Sequence, residues 1–150
     1  MSKFEAPTLQ QLTEEWEKDS MIDITEPGKE MVRIPTLHSK YNKFLSLHNL
    51  AKKRREGELA KVRKLKWMYY NGKLDQLELA ALGWEPFQFT LKSDLSVYMD
   101  ADDDVQKVKD MISFHDECAS YCAYVMKELN NRTWQMKEYM AWERFIQGQH

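Results

Sequence analysis

The C-terminal third of the chain carries a long heptad pattern, and this limits what the chain can fold into more than any other feature. Mainly apolar residues, with polar His115 and Thr133 among them, recur at alternating spacings of three and four from Val105 to Met140, the period of a helix with one apolar seam. Four aspartates at positions 100–104 precede it, where carboxylates favour a helix start. A helix over residues 103–147 would be roughly 65 Å long. It must therefore pair with another helix of the chain, with copies of itself, or with both.

The rest of the chain is also predominantly helical in pattern. Thr8 can cap a short helix that runs to Lys18. The mixed polar and apolar types that follow predict a short irregular or extended arm up to Pro35. Pro35 is expected to open a second long helix, which ends at the turn-forming pair Asn71-Gly72.

These patterns predict an all-α protein with a single helical domain over residues 1–150. Its long helices are expected to assemble into a homo-oligomeric ring or barrel. The segment between the two long helices is expected to contain a short helix at 74–82, an extended stretch at 87–91 and a helical turn or two at 93–99. The four predicted segments are the N-terminal helix and arm (1–35), the basic helix (36–72), the connector (73–102) and the C-terminal helix (103–148).

Charge is concentrated in the predicted basic helix. The whole chain has a net charge of −2, yet residues 36–72 hold ten Lys or Arg against two Glu. A basic segment inside an otherwise acidic protein indicates a local site for an anionic partner. Helical spacing places Val62, Leu65 and Tyr69 on one face. We expect four basic or aromatic side chains on roughly the opposite face, namely Arg63, Lys66, Trp67 and Tyr70.

Basic side chains attract phosphates, and exposed aromatic rings stack on unpaired bases. The segment is therefore predicted to bind single-stranded DNA. A helical structural or adaptor protein whose basic face docks an acidic protein partner remains the alternative. The candidate DNA-binding residues are Lys52, Lys53, Arg54, Arg55, Lys61, Arg63, Lys64, Lys66, Trp67 and Tyr70.

No pattern indicates catalysis, a cofactor or a metal. The chain has no glycine-rich phosphate loop and no nucleophile elbow, so we expect no enzymatic activity. His115, Cys118 and Cys122 share one helical stripe but lack a fourth zinc ligand. With no apolar run long enough for a bilayer and no signal peptide, a cytoplasmic protein with reduced thiols and no membrane contact is expected.

The last turns of the C-terminal helix are rich in large apolar side chains. So many in a terminal segment suggest a subunit interface. The candidate oligomerisation residues are Trp134, Met136, Tyr139, Met140, Trp142 and Phe145.

The order of these features resembles the UvsY family, recombination mediators of T-even-type bacteriophages. The resemblance covers residues 12–148 and is carried by three stretches. These are Val62-Arg63-Lys64-Leu65-Lys66-Trp67-Met68-Tyr69-Tyr70-Asn71-Gly72, Leu91-Lys92-Ser93-Asp94-Leu95 with the residues from Asp100 to Val108, and Asn131-Arg132 with Trp142-Glu143-Arg144-Phe145-Ile146 and Gly148. The chain departs from the family pattern in a longer N-terminus and a denser basic cluster at residues 52–55.

The resemblance implies a function and partners. UvsY-like proteins bind single-stranded DNA, form rings of identical subunits, and help a RecA-like recombinase replace single-strand-binding protein. They act in the cytoplasm of an infected bacterial host. The basic motif of the family corresponds here to Lys64 and Lys66, and its oligomerisation segment to residues 131–147.

Overall fold

The computed structural model describes residues 5–87 and 91–148, and within these residues the chain is helical and has no strand. The all-α fold class is therefore confirmed. The predicted extended stretch at 87–91 falls largely on residues outside the described part. The helices are α1 (Leu9–Asp19), α2 (Pro27–Tyr70), α3 (Gln76–Leu82), a short 3₁₀ turn (Lys92–Asp94), α4 (Leu95–Asp100) and α5 (Asp103–Ile146).

Local signals set most helix ends. Thr8 and Gln11 form a reciprocal capping box at the start of α1, which satisfies two otherwise unpaired amide groups. Gly72 and Gly83 adopt positive φ angles of 66° and 69° just after α2 and α3, a conformation that glycine adopts without strain. The side chain of Asp102 accepts hydrogen bonds from the amides of Asp104 and Val105 at the start of α5.

The predicted start of the second helix is wrong, because α2 begins at Pro27 and contains Pro35 in its interior. Proline is well suited to the first helical position, whereas an interior proline removes one backbone hydrogen bond. The helix continues through Pro35 because Ile34 and Leu37 pack into a core on either side of it. The irregular arm is consequently shorter than expected.

The chain divides into two compact units. The terminal unit consists of Met1–Ala51 and His115–His150, and the central unit is Lys52–Phe114. In the terminal unit, Leu37 and Tyr41 of α2 pack against Val125 and Leu129 of α5. Leu12 of α1 packs beside them with Cys118 and Cys122.

Two arginines hold the C-terminal end of α1 in the terminal unit. Arg132 donates to the carbonyl oxygens of Asp19 and Ser20, at 3.4 and 2.9 Å. Arg33 donates to the carbonyl oxygens of Asp19 and Met21, at 3.2 and 2.9 Å. The last carbonyls of a helix lack partners within the helix, and these guanidinium groups supply them.

The central unit contains a cluster of partly buried aromatic side chains. Tyr70 lies edge-on to Phe87, with ring centroids 4.8 Å apart, and Tyr69 lies 5.0 Å from Trp84. Tyr98 of α4 contacts Phe87 at 5.3 Å. Edge-to-face arrangements of this kind are the favoured geometry for aromatic pairs. This cluster fixes the connector residues after α3 against the end of α2.

The heptad seam of α5 is largely buried within the chain. Val105 and Val108 are buried in the central unit, and Cys122, Leu129 and Met136 in the terminal unit. The expected pairing with the middle helix is therefore observed. Within the terminal unit, Leu37 and Tyr41 of α2 pack against Val125 and Leu129 of α5, and within the central unit Lys66 of α2 pairs with Asp104 of α5. Among the described residues, no helix is long and apolar enough to cross a membrane.

Candidate nucleic-acid interface

Five basic residues of α2 in the central unit project into solvent. Within the described residues, none of the five has a carboxylate at salt-bridge distance, so their positive charge is available to an anionic partner. We call these five residues together with Trp67 the basic face. The five are Lys53, Arg54, Lys61, Arg63 and Lys64.

Two of the other three predicted basic residues are paired with carboxylates, and the third also has an interaction partner. Arg55 donates to Glu58 at 2.8 Å, one turn later on α2. Lys52 is half-buried and has an interaction partner of its own. Lys66 is the clearest case, because it is buried and only 7% exposed. A role for these three residues in DNA binding stays a prediction. Because each already has a partner in the protein, their charges are less available to phosphates than those of the basic face.

Lys66 joins α2 to the start of α5 in the central unit. Its Nζ lies 2.8 Å from Asp104 Oδ2 and 3.2 Å from Asp102 Oδ2. The same ammonium stands 4.1 Å from the ring centroid of Trp84, within the range of a cation–π interaction. Burial alone would lower the pKa of Lys66, but the hydrogen bonds to Asp104 and Asp102 outweigh it and raise the pKa.

Tyr70 belongs to the same network. Its hydroxyl donates to Asp102 Oδ2 at 2.5 Å. Burial, followed by this bond to a carboxylate, raises the pKa of Tyr70 well above its usual range. Burial also raises the pKa of Asp102, but hydrogen bonds from Tyr70, the Val105 amide and Lys66 outweigh it and hold that pKa below the usual value. Asp102 therefore stays ionised and binds both residues.

The sequence-based expectation that Lys66 and Tyr70 lie on the exposed face opposite Val62 is thus wrong. Four residues along a helix advance about 40° beyond a full turn, so Lys66 lies beside Val62 and not opposite it. Lys66 pairs with Asp104 in the first turn of α5, and Tyr70 donates to Asp102 just before that helix. Among the residues assigned to that face, Arg63 and Trp67 are the ones exposed in the structure.

Trp67 has the position expected of a stacking platform. It is 40% exposed, and its backbone carbonyl accepts a hydrogen bond from the Asn71 side chain, which helps to end α2. Lys73 Nζ lies 4.2 Å from the ring centroid. Lys73 was not identified from the sequence as a site residue. Its position just after the Asn71-Gly72 turn was the available signal, because such a turn brings the next side chain back beside the end of the helix.

A second group of residues was also missed. A groove of about 470 Å³ in the central unit is lined by side chains of α2 and α5 and by Trp84. Lys107 of α5 is exposed at its edge. In the sequence, Trp84 and Lys107 stand apart from the basic cluster, so only the three-dimensional contact between α2 and α5 brings them together.

The predicted oligomerisation residues are unequally placed. Trp134, Trp142 and Phe145 are well exposed, at 70%, 58% and 66%, whereas Met136 is buried. Tyr139 and Met140 are half-buried. The rings of Trp142 and Phe145 stack, with centroids 5.9 Å apart. The exposed members are available to a second copy of the chain, and Met136 belongs to the interior of the subunit.

The histidine–cysteine stripe is part of the interior of the terminal unit. His48 Nδ1 lies 3.1 Å from His115 Nδ1, and His48 Nε2 lies 2.7 Å from the carbonyl oxygen of Pro7. Burial raises the pKa of the Cys122 thiol to about 11, which disfavours the thiolate that binds metals. Residues 5–87 and 91–148 contain no group of three or more side chains placed to hold a metal ion.

The chain is similar to known proteins in its sequence and in its fold. The model of the family described as "Recombination, repair and ssDNA binding protein UvsY" matches residues 15–149. No curated protein sequence matches the chain. The fold is similar to crystal structures of the bacteriophage T4 recombination mediator protein UvsY. One crystal form gives 24% identity and a TM-score of 0.80, covering 93% of this chain and 97% of the other. Another gives 25% identity and a TM-score of 0.78, covering 89% and 97%.

Proposed function

The chain belongs to the UvsY family of recombination and repair proteins, and we propose on this basis that it is a mediator that binds single-stranded DNA. In this proposal it promotes loading of a RecA-like recombinase in place of single-strand-binding protein. It would act in the cytoplasm of an infected bacterial host. The family is one of recombination, repair and single-stranded DNA binding. In this proposal the protein therefore acts by binding the strand and favouring recombinase assembly on it, without a chemical reaction of its own.

The observation that carries the proposal is the basic face. Its five unpaired cations surround the exposed part of one helical segment, and Trp67 adds an aromatic platform beside Lys73. Cations bind the phosphates of any nucleic acid. A stacking platform favours single strands, because the bases of a duplex are already stacked on each other. An acidic protein partner would also satisfy the cations, and an exposed Trp can anchor a protein as well, so a preference for single strands over duplex DNA is the property that separates the two functions.

Self-association would multiply this modest site. We propose that the exposed end of α5, around Trp142 and Phe145, holds copies of the chain together in a ring or barrel. Each copy then presents one basic face to the same strand, and linked sites bind far more tightly than one site. A strand held at several points can be presented to the recombinase in one extended arrangement.

A mobility-shift experiment with matched strands tests the DNA-binding step. The protein should bind a single-stranded oligonucleotide more tightly than the duplex of the same sequence. The affinity should fall steeply with salt, because counterions are released when phosphates are neutralised. Equal affinity for the two forms would favour the adaptor alternative.

A loading assay tests the mediator step. Single-stranded DNA is first coated with single-strand-binding protein, and a RecA-like recombinase is then added with ATP. The lag before ATP hydrolysis by the recombinase should shorten when this protein is present. If the lag is unchanged although the protein binds DNA, the chain is a DNA-binding protein without mediator activity.

Sedimentation of a surface variant tests the assembly step. Replacing Trp142 and Phe145 by Ser should give a small species that still binds DNA, with lower apparent affinity because avidity is lost. Leu77 and Val97 are also exposed, at 82% and 64%, so their replacement by Ser is the matched control. If the Trp142 and Phe145 variant keeps the full-size assembly, the subunit interface lies elsewhere.

A further inference from the structure

The groove in the central unit has a size and a lining that suit a small, partly polar ligand. Its apolar lining is Val62 and Leu65 of α2, Val108 and Met111 of α5, and Trp84. Val62, Leu65 and Met111 are only half-buried, so apolar surface remains open to solvent there. The volume of about 470 Å³ is within the range of about 300–1,000 Å³ of small-molecule sites.

The charges that line the groove leave a net cation. Arg55 pairs with Glu58, and Lys66 pairs with Asp104, so these four side chains largely neutralise each other. Lys107 is exposed and, in the described part of the chain, has no carboxylate at salt-bridge distance. A ligand that carries an anion beside an apolar group would therefore place the anion at Lys107.

The groove also adjoins the basic face. Lys61 and Leu65 are four residues apart on α2, and side chains at this spacing are neighbours on a helix. A strand whose phosphates contact Lys61 therefore passes along the edge of the groove.

We propose that this groove receives one unpaired base of the bound DNA strand, with the adjacent phosphate held by Lys107. The proposal rests on the proposed binding of single-stranded DNA and adds a second contact beyond the basic face. A base is a flat ring with apolar faces and a polar edge, and it is linked to a phosphate. The groove offers the matching parts, namely apolar walls, an indole ring and an unpaired ammonium. Proteins that take up an extruded base use pockets with aromatic and apolar walls in the same way.

The direct test compares a thymidylate strand with an abasic strand of equal length, which keeps the phosphates and lacks the bases. The full-length protein should prefer the thymidylate strand. Val62→Met places a longer side chain in the groove without changing the charge. It should reduce this preference about tenfold, the loss of one base contact, and leave the salt dependence unchanged. Val97→Met, an exposed position of α4 outside the groove, should keep the full preference.

A second variant tests the phosphate contact. Lys107→Gln should weaken binding of both strands and lower the slope of log affinity against log salt by about 0.7, the value for one contact to a single strand. Lys127→Gln removes an exposed lysine elsewhere on α5 and should leave the slope unchanged. An unchanged slope in Lys107→Gln would remove Lys107 from the proposed site.

Photocrosslinking of the unmodified protein keeps the proposal testable if Val62→Met does not fold. A strand that contains 4-thiothymidine should crosslink to Trp84 or Met111, as mapped by mass spectrometry. Crosslinks at Trp67 alone, or a full thymidylate preference in a folded Val62→Met protein, would overturn the groove as a base site. A full thymidylate preference in folded Val62→Met would instead suggest that the groove binds a side chain of a protein partner. If the protein binds neither strand, the proposed function itself fails, which is a distinguishable result.

Discussion

The two halves of helix α2 use their basic residues in different ways. In the first half, residues 27–51, Lys29 pairs with Glu26, Arg33 with Glu30, and Lys40 with both Glu15 and Asp19 at 2.6 and 2.7 Å. In the second half, residues 52–70, the five cations of the basic face have no such partner among the described residues. Three residues of this half are exceptions: Lys66 has two carboxylates, Arg55 pairs with Glu58, and Lys52 has an interaction partner of its own.

This difference separates structural cations from those available to a ligand. The first half packs on α1 and α5, and acidic neighbours neutralise its charges. Unpaired like charges on one helix repel each other and reduce its stability. A run of unpaired positive charges therefore destabilises the helix, and binding to the phosphates of a nucleic acid removes this repulsion. Ion pairing distinguishes the two classes here, whereas charge density in the sequence does not.

The largest expected effect of this distinction is on stability, at Lys66. Lys66→Ala should lower the free energy of unfolding by about 3 kcal/mol, because it leaves Asp102 buried without its cation. Lys64→Ala, two residues earlier and exposed, should change it by less than about 0.5 kcal/mol. Urea denaturation of both variants measures the difference. Equal urea midpoints for the two variants would mean that the ion pairs of Lys66 contribute little to stability. Lys66 would then not belong to the structural cations.

The next effect is on DNA binding. Replacing Lys61, Arg63 and Lys64 together by Ala should lower the slope of log affinity against log salt by roughly 2 for each subunit engaged, at about 0.7 per contact. The control replaces three exposed lysines outside the basic face with the same change in net charge, namely Lys18, Lys29 and Lys127. If both triple variants lose affinity equally, binding responds to total charge and not to the basic face.

A smaller effect is expected at Trp67, which tests stacking separately from charge. Trp67→Ala should weaken binding of single-stranded DNA by about 1–2 kcal/mol and leave the salt slope and helicity unchanged. Tyr124→Ala, at an exposed aromatic of the terminal unit, should leave the affinity unchanged. A loss of helicity in Trp67→Ala would show that the ring supports the fold, and the stacking interpretation would then be withdrawn.

The sequence was sufficient for the features that depend on short-range patterns. The capping of α1 by Thr8, the turn at Gly72 and the start of α5 at Asp103 follow from residue types at fixed offsets, and the structure confirms them. The start of α2 could not be predicted this way. Pro35 is a helix-ending signal locally, and the packing of Ile34 and Leu37 against distant residues outweighs it.

The candidate site was predictable only in part for the same reason. A run of cations marks a basic helix, but the sequence does not show which cations meet carboxylates from another helix. Asp102 and Asp104 follow Lys66 by 36 and 38 positions, and their aspartate string already had an explanation as a helix cap. Their second role as partners of Lys66 is visible only when α2 and α5 are seen together.

The smallest expected effect is a pH dependence that belongs to the first half of α2. His48 is fully buried, and burial lowers its pKa although the hydrogen bond with Pro7 opposes this. The unfolded chain takes up a proton near pH 6.5, whereas folded His48 does so only at lower pH. The unfolded state then binds more protons, so the free energy of unfolding must fall as pH falls below about 6.5. Between pH 6.5 and 5.5 this amounts to at most about 1 kcal/mol for one group.

Urea denaturation at pH 7.5, 6.5 and 5.5 measures this dependence. His48→Gln keeps a donor for the Pro7 carbonyl and removes the titrating ring, so its stability should vary less with pH than that of the original protein. His38→Gln removes another histidine from the same half of α2 and should keep the original dependence. At a constant low pH, both variants should show the same salt dependence of DNA affinity, because neither histidine is on the basic face. If His48→Gln shows the full pH dependence, the acid sensitivity has another source, and the packed half of α2 contributes nothing to it through His48.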